Sequence, residues 1–270
     1  MTQQYVGAAA PVAPWMGGKS KLAKTLIERI ERIPHQTYVE PFVGMGGVFL
    51  RRAYRPKVEV INDANGEIIN LFRILQRHYP QFMDTLKYQV SSRREFERLR
   101  KCDPSTLTDL ERAARFLYLQ RQAFGGKVDG VFGVAVDRPS RFDITQIAKH
   151  LEAAHERLSG VVFENLDWAD ILARYDGRNT LFYLDPPYFG NEQDYGDAFS
   201  RDQFTLMADL LKSSQGEFVL SINDTPEIRS LFEWAVIDEV RLTYTVSREG
   251  GGGRRRELIV SKTETPAGLF

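Results

Sequence analysis

Asp185-Pro186-Pro187-Tyr188 follows directly on the apolar run Thr180–Leu184, so an acid, two rigid residues and an aromatic ring occupy four consecutive positions. Two prolines after a buried strand remove two backbone donors and fix φ. The chain then leaves the sheet on a stiff path that presents the Asp185 carboxylate, the proline carbonyls and the Tyr188 ring together. A flat substrate with an amino group fits that device, because the amine can donate to carboxylate and carbonyl while the ring stacks. The plainer reading is a rigid strand-ending turn with a core tyrosine. Two further segments could do chemistry. In Phe42-Val43-Gly44-Met45-Gly46-Gly47 the glycines permit positive φ and let a ligand approach the backbone. Phe49, however, stands where the third glycine of G-x-G-x-x-G belongs. Asp63 lies 21 positions past Phe42, near the ~20 that separate a glycine turn from an acid holding ribose hydroxyls. The plainer alternative is a cap for the helix that begins near Asn65, for which Asp63 sits slightly early.

These segments need a scaffold, and the periodicity supplies one. Gly17–Ile33 places Leu22, Leu26, Ile30 and Ile33 on one helical stripe. Thr37–Phe42 reads as a short buried strand, Val48–Tyr54 as helical, Val58–Asn62 as a strand and Asn65–His78 as a helix. This is the grammar of a doubly wound α/β sheet. It breaks at Pro80. From there to about Ser159 the chain reads as mostly helical and Arg-rich, with helices over Phe82–Val90, Arg93–Lys101 and Thr108–Gln122. A glycine-rich hairpin or exposed loop follows over Phe124–Val136. Strand grammar resumes with Val161–Asn165, helix Trp168–Tyr175 and strand Thr180–Leu184. Helix Arg201–Ser213, strand Phe218–Asn223 and helix Thr225–Trp234 come next. The strands Val236–Val246 and Glu257–Lys262 are joined without a helix, so they must be antiparallel neighbours. Ligands of such sheets bind beyond the carboxyl ends of the strands, where all three chemical segments fall.

Composition excludes several classes. Cys102 is the only cysteine, which rules out a disulfide framework and a cysteine zinc cluster. His35, His78, His150 and His155 lack metalloprotease spacing, and no apolar run approaches the ~18 residues of a membrane span. Met1–Pro14 lacks the basic start of a signal peptide. The 36 basic and 36 acidic residues cancel, which alone argues against an indiscriminate polyanion binder. The distribution argues otherwise. Residues 87–141 carry 12 basic and 7 acidic side chains, residues 160–240 carry 5 and 16, and residues 241–257 carry 5 and 2. Two basic segments bracketing an acidic one can mark a nucleic-acid contact.

Four blocks in order, Ala13-Pro14-Trp15-Met16-Gly17-Gly18-Lys19, Tyr38-Val39-Glu40-Pro41-Phe42-Val43-Gly44, Ile61-Asn62-Asp63 and Asp185-Pro186-Pro187-Tyr188, resemble the Dam-like DNA adenine (N6) methyltransferases, which use S-adenosylmethionine (SAM). Asn165-Leu166-Asp167-Trp168, Leu220–Asp224 with Thr225-Pro226, and Glu257-Leu258-Ile259 are further echoes, so the resemblance covers most of the chain. It implies a Rossmann-like SAM-dependent methyltransferase sheet from residues 1–79 and 160–270, mostly parallel with a terminal antiparallel hairpin. Residues 80–159 would be an inserted, mainly helical target-recognition lobe for double-stranded DNA. By the same matching, Trp15 and Lys19 would contact the cofactor, with Lys19 near its carboxylate. Glu40, Pro41, Phe42 and Gly44 would wrap its methionine moiety, Asp63 would hold ribose hydroxyls, and Asp167 with Trp168 would border its adenine. Asp185, Pro186, Pro187 and Tyr188 would address the target base, with Asp185 also bordering the cofactor. Lys127, Arg138 and Arg141 in the glycine-rich hairpin, and Arg254 and Arg255 in the late loop, would touch phosphates or bases; a solvated face is the alternative. An intracellular, cytoplasmic setting in a bacterium or phage-infected host is implied, and the oligomeric state is left open.

The chemistry agrees with the resemblance. An exocyclic adenine amine is a poor nucleophile because its lone pair is conjugated with the ring. Asp185 and the Pro186 carbonyl could accept its hydrogens and stabilise the charge that develops, and no metal is needed. The base must first leave the duplex and stack, with Tyr188 as the platform. Methylation of a cytosine ring would need a nucleophilic cysteine, and Cys102 lies in the inserted segment without a Pro-Cys turn. Three rivals stand beside this reading. Ala13–Ser20 satisfies a relaxed phosphate-loop pattern, as in a nucleotide hydrolase, but no strand is expected before it. An RNA or small-amine methyltransferase would share the acid-Pro-Pro-aromatic turn but not need a basic lobe. A DNA-binding module without catalysis would not need all four cofactor blocks.

Overall fold

The structure is a computed structural model and describes residues 3–15, 19–124, 130–133, 137, 139–190, 199–243 and 254–264, with backbone alone at 241–243, 254 and 255. Gln4–Tyr5 (β1) pairs antiparallel with Tyr54–Arg55 (β3) in a small ribbon. The main sheet comprises Thr37–Glu40 (β2), Val58–Asn62 (β4), Val162–Glu164 (β5), Thr180–Leu184 (β6), Glu217–Asn223 (β7), Val236–Thr243 (β8) and Arg254–Ser261 (β9). Their spatial order is β5-β4-β2-β6-β7-β9-β8, parallel as far as β7, with β9 antiparallel to both of its neighbours. The direction of winding reverses between β2 and β6. At such a switch point the helices diverge and a crevice opens beyond the strand ends.

Strand alternation sorts the core into two layers. Tyr38, Ile61, Leu181, Tyr183, Val219 and Ile259 enter one hydrophobic cluster, whereas Val39, Val60, Phe182, Leu184, Leu220 and Val260 enter the other. A sheet buried on both faces needs helices on both. Ala23–Arg32 (α1) and Gly66–Arg77 (α2) belong to the first layer. Trp168–Tyr175 (α7), Arg201–Ser213 (α8) and Pro226–Leu231 (α9) belong to the second. Residues 79–157 form Tyr79–Leu86 (α3), Arg93–Lys101 (α4), Asp109–Gln122 (α5) and Ile144–Arg157 (α6). They lengthen the β4–β5 crossover, and their Phe82, Phe96, Phe116, Leu119 and Leu151 extend the first cluster beyond α2. Local chemistry sets the helix starts. Asn65 caps α2 by accepting from Glu67 N at 3.0 Å, and Thr108 forms a reciprocal capping box with Glu111 on α5.

A local expectation differs from the structure. Val48–Tyr54 is not a helix but a single 3₁₀ turn, Phe49–Arg51, that runs into β3. Helix periodicity there competes with the pull of Arg52, which turns fully inward to pair with Glu59 at 3.0 Å. The expected hairpin after Phe124 shows a bridge between Ala123 and Phe132, with Phe124 N donating to Val131 O at 2.8 Å. Among the described residues no helix is long and apolar enough to cross a membrane.

Arg52, Glu59 and Arg157 form a buried ionic triad that ties α6 to β4. Arg157 Nη1 and Nη2 donate to the two Glu59 oxygens at 2.7 and 2.8 Å, and its Nε donates to the Arg52 carbonyl at 3.1 Å. Removing one partner of such a group leaves an uncompensated buried charge, which costs about 3–5 kcal/mol. Glu59→Ala strands two guanidinium groups and is expected to lower unfolding stability by that amount in urea titration. A loss under about 1 kcal/mol would mean that the triad contributes little to stability.

Candidate active site

Leu184 ends β6 in the core, and the next residue is Asp185, its side chain largely buried, at the β2–β6 switch point. The turn that follows is held from the neighbouring strand. At the end of β7, Asn223 Oδ1 accepts from Phe189 N and Asn223 Nδ2 donates to Phe189 O, both at 2.9 Å. The carboxamide thus reproduces a backbone pairing where the strand has ended. Two other asparagines do similar work at neighbouring tips. Asn62 Nδ2 donates to the Pro41 and Leu166 carbonyls at 2.9 and 3.1 Å, while its Oδ1 accepts from Leu166 N at 2.8 Å. Asn165 Nδ2 donates to the Asp63 carbonyl at 2.7 Å. The loops at the carboxyl edge are therefore cross-linked by side-chain amides.

Lys19 is the hub of the site. The residue is 4% exposed, and its ammonium lies 2.9 Å from Asp185 Oδ1, 2.7 Å from the Tyr188 hydroxyl and 3.5 Å from Glu257 Oε2. It also sits 4.3 Å from the Tyr188 ring centroid. The Tyr188 hydroxyl accepts from Lys19 and donates to Glu257 Oε1 at 2.7 Å. Asp185 Oδ1 accepts in addition from Ser221 Oγ at 3.1 Å, and Ser221 in turn meets the Tyr183 hydroxyl at 3.0 Å. Burial raises the Asp185 carboxyl above its ordinary range, and the Lys19 charge and hydrogen bond oppose that rise. Lys19 lies against the acid and the ring of the Asp-Pro-Pro-Tyr turn.

Across the switch point lies the glycine turn. Gly44 and Gly46 take φ of 50° and 71°, which L-residues with a Cβ rarely adopt. A Cβ on Gly44 would fall 2.9 Å from Trp15 Nε1, so the indole lies directly against this backbone. Asp63 fastens the turn to β4. Its Oδ2 accepts from Gly44 N and its Oδ1 from Asn65 N, each at 2.9 Å. The helix cap is Asn65, and Asp63 is the staple between the two strand ends. Burial pushes its carboxyl up to about 6 against those two hydrogen bonds.

Glu40, at the tip of β2, is 2% exposed and accepts from the Tyr38 hydroxyl at 2.6 Å. Burial pushes its carboxyl up to about 8, although the Tyr38 hydrogen bond and the Arg52 charge pull it down. The native state then keeps a proton that the unfolded chain releases above its ordinary carboxyl range, so stability falls as pH rises towards 8. Glu40→Gln is neutral and isosteric. It is expected to flatten that decline between pH 6 and 8 in urea unfolding, the range above the Asp63 shift; an unaltered decline would contradict it.

Asp167 caps α7 by accepting from Ala169 N at 2.8 Å. Trp168 is 4% exposed; its Nε1 donates to Gln203 at 2.9 Å, and its ring stacks beneath Phe42 with centroids 6.3 Å apart. Phe42 is therefore the half-buried aromatic of this pair, and Trp168 is its support within the core. The inserted helices also reach the site. From α5, Gln120 Nε2 donates to the Pro14 carbonyl at 2.7 Å and Arg121 Nη1 donates to the Val12 carbonyl at 2.6 Å, which anchors the segment carrying Trp15. Arg141 donates through Nη1 to the Ala123 carbonyl at 3.2 Å. Lys127 and Arg138 lie outside the described residues, and the side chains of Arg254 and Arg255 outside the described atoms. Sequence reading missed Ser221, Asn223, Gln120 and the placement of Glu257. The available signal was an asparagine ending β4 and β7 and an acid opening an apolar run on β9.

The chain has relatives among known proteins. A type II methyltransferase, M.CviBI, of Paramecium bursaria Chlorella virus NC1A is 24% identical over 247 residues, covering 89% of this chain and 93% of the relative. A DNA adenine methylase of Vibrio cholerae is 27% identical over 267 residues, 92% of this chain and 93% of the relative. The type II methyltransferase M1.LlaDCHI of Lactococcus lactis is 27% identical over 277 residues, 93% of this chain and 94% of the relative. The family model of the D12 class matches residues 15–246, a span that runs from the Trp15 segment across the glycine turn and the Asp-Pro-Pro-Tyr turn. On that match the chain belongs to the D12 class of N6 adenine-specific DNA methyltransferases.

Proposed function

We propose that this enzyme transfers a methyl group from SAM to the exocyclic N6 amine of an adenine flipped out of double-stranded DNA. The observation that carries the reading is the juxtaposition, at one switch point, of the Asp185–Tyr188 turn with the stapled Gly44–Asp63 turn. The residues of the second turn suit the cofactor. Trp15 offers an aromatic face packed on the Gly44 turn, and each Asp63 oxygen keeps a lone pair for a ribose hydroxyl beyond its one backbone donor. Glu40, Pro41 and Phe42 line the tip of β2 for the methionine moiety. Asp167 and Leu166 border the adenine, with Trp168 holding Phe42 from below. When bound, SAM supplies a methyl group made electrophilic by its sulfonium.

The chain's own residues act on the base. Tyr188 stacks on the extruded ring. Asp185 accepts one amine hydrogen and the Pro186 carbonyl the other, which draws the nitrogen lone pair out of conjugation and stabilises the positive charge that grows on it. Pro187 keeps the turn rigid, so that little reorganisation is required as charge develops. The base must be unstacked first, since its amine is inaccessible within a duplex. Helices 79–157 would form the target-recognition lobe, with Lys127, Arg138 and Arg141 together with Arg254 and Arg255 as phosphate or base contacts. The basic surplus of residues 87–141 supports that side as the DNA face.

The test is transfer of tritiated methyl from SAM to unmethylated DNA, followed by digestion to nucleosides. N6-methyladenine is the expected product. Label in cytosine only, or none on any unmethylated DNA supplied, would overturn the reading.

A further inference from the structure

We propose that Glu257 is a positioning residue for methyl transfer, fixing the Tyr188 ring through the phenolic hydroxyl. The proposal rests on the adenine reading above and extends it to a residue outside the Asp-Pro-Pro-Tyr turn. Glu257 is the fourth residue of β9, an antiparallel strand inserted between β7 and β8, and its register partner is Asn223. That places it beside the asparagine that clamps Phe189. Along β9 the next residues alternate between the two hydrophobic layers, Leu258 and Val260 in one and Ile259 in the other. Alternation puts Glu257 on the Ile259 side, where an apolar side chain would suit the sheet, yet a carboxylate stands there only 1% exposed.

A carboxylate so deeply buried requires strong partners. Glu257 Oε1 takes the Tyr188 hydroxyl at 2.7 Å, and Oε2 lies 3.5 Å from Lys19. Both groups belong to the site where the base would be held, and neither contributes to the pairing of β9 with the sheet. A tyrosine ring that serves as a stacking platform has two free torsions; its hydroxyl oxygen lies on the ring's own rotation axis, so a hydrogen bond there fixes the direction in which the ring points, and the in-plane preference of phenolic hydrogen bonds favours one ring plane. The hydroxyl here is held at both ends, accepting from Lys19 and donating to Glu257. Glu257 therefore fixes where the Tyr188 ring lies against the base and contributes a second negative charge beside Asp185.

That second charge gives the proposal a readout that a purely structural role would not move. Among the described residues, the charged and titratable groups around Asp185 are Lys19 from the amino-terminal segment, Glu257 on β9, Glu40 on β2, Tyr183 on β6 and Tyr188 on the turn. Among them Glu257 raises the Asp185 carboxyl and Lys19 lowers it. Removing the Glu257 charge is expected to shift the acid limb of the pH–rate profile to lower pH.

The experiment uses the full chain, tritiated SAM and unmethylated genomic DNA, and compares wild type with E257A, E257Q, Y188F and the E257A/Y188F double variant. E257A is expected to reduce kcat/KM for DNA by about 10–100-fold, the loss for one buried hydrogen bond left unmade, with the SAM dissociation constant within about 2-fold by calorimetry. E257Q, which retains an acceptor for the hydroxyl, is expected to recover most of that loss. The double variant is expected to be no worse than the poorer single one, because both changes break the same hydroxyl–carboxylate contact. If E257A does not fold, the E257Q and Y188F profiles carry the test, with the acid-limb shift in E257Q as the decisive result. Unchanged kcat/KM in E257A, additive losses in the double variant, or SAM affinity lost in proportion to activity would each overturn the positioning role. A wild-type protein that methylates no adenine would instead overturn the reading on which it rests.

Discussion

Asp185→Ala is expected to reduce methyl transfer by at least about 10³-fold while SAM still binds within a few-fold of wild type. The magnitude follows from losing a preorganised group aimed at developing charge, an effect worth about 10²–10³ for one donor in comparable sites. Here the same carboxylate also anchors Lys19 and Ser221, at 2.9 and 3.1 Å. Asp185→Asn is the informative companion. It preserves shape and one acceptor oxygen but removes the charge, so an intermediate loss would separate orientation from electrostatics. Single-turnover transfer to unmethylated DNA, paired with calorimetric SAM binding, checks both variants. Activity of Asp185→Ala near wild type would remove the carboxylate from the chemistry, whatever the fold.

Lys19→Met is expected to lower transfer at neutral pH by roughly 10²-fold and to regain part of it as the pH is raised. Burial already raises the Asp185 carboxyl, and Lys19 is the largest influence in the opposite direction. Without the ammonium, Asp185 and Glu257 face each other with no cation between them, and the carboxyl moves further up. A raised carboxyl is protonated over a wider range, and a protonated Asp185 donates where it must accept. The active, ionised form then accumulates only at higher pH, so the acid limb of the kcat profile shifts upward. This is the opposite of the shift expected for E257Q, and the pair of variants brackets the electrostatic setting of Asp185. A Lys19→Met profile parallel to wild type at every pH would show that Lys19 does not tune the acid. The two-sided grip of Lys19 on Asp185 and the Tyr188 ring also means that a base stacking on Tyr188 meets an ammonium already in place.

Much of this architecture was legible because it rests on local periodicity. The strands Val58–Asn62 and Thr180–Leu184 and the helices Arg93–Lys101, Trp168–Tyr175 and Arg201–Ser213 have the bounds that their patterns predict. The hairpin order of β8 and β9 followed from a connection too short for a parallel crossover. Val48–Tyr54 departs from its helical pattern because its apolar spacing is satisfied by a single turn, whereas Arg52 answers to Glu59, whose charge lies on the next strand. Asp63 could be read from spacing alone as a ribose ligand or as a cap. The structure gives the cap to Asn65 and makes Asp63 a staple, because its two oxygens face backbone donors from two different strand ends.

The neutral total charge divides in the same manner. The sequence shows the basic surplus of residues 87–141, but not that α5, within it, grips the Val12–Pro14 backbone and so steadies the Trp15 and Lys19 segment. By itself, the sequence determined the element order, the doubly wound sheet and the acid-Pro-Pro-aromatic turn at a strand end, since each is written in residues close together along the chain. The tertiary structure decided which distant side chains complete that turn. Lys19 and Glu257 are 238 positions apart in the sequence yet lie 3.5 Å apart, because β9 runs antiparallel into the sheet beside β7 and the first segment folds over the switch point. Pattern at short range specifies a strand's identity and facing. Only burial and pairing among strands settle which charges must neutralise one another, and here that neutralisation builds the site.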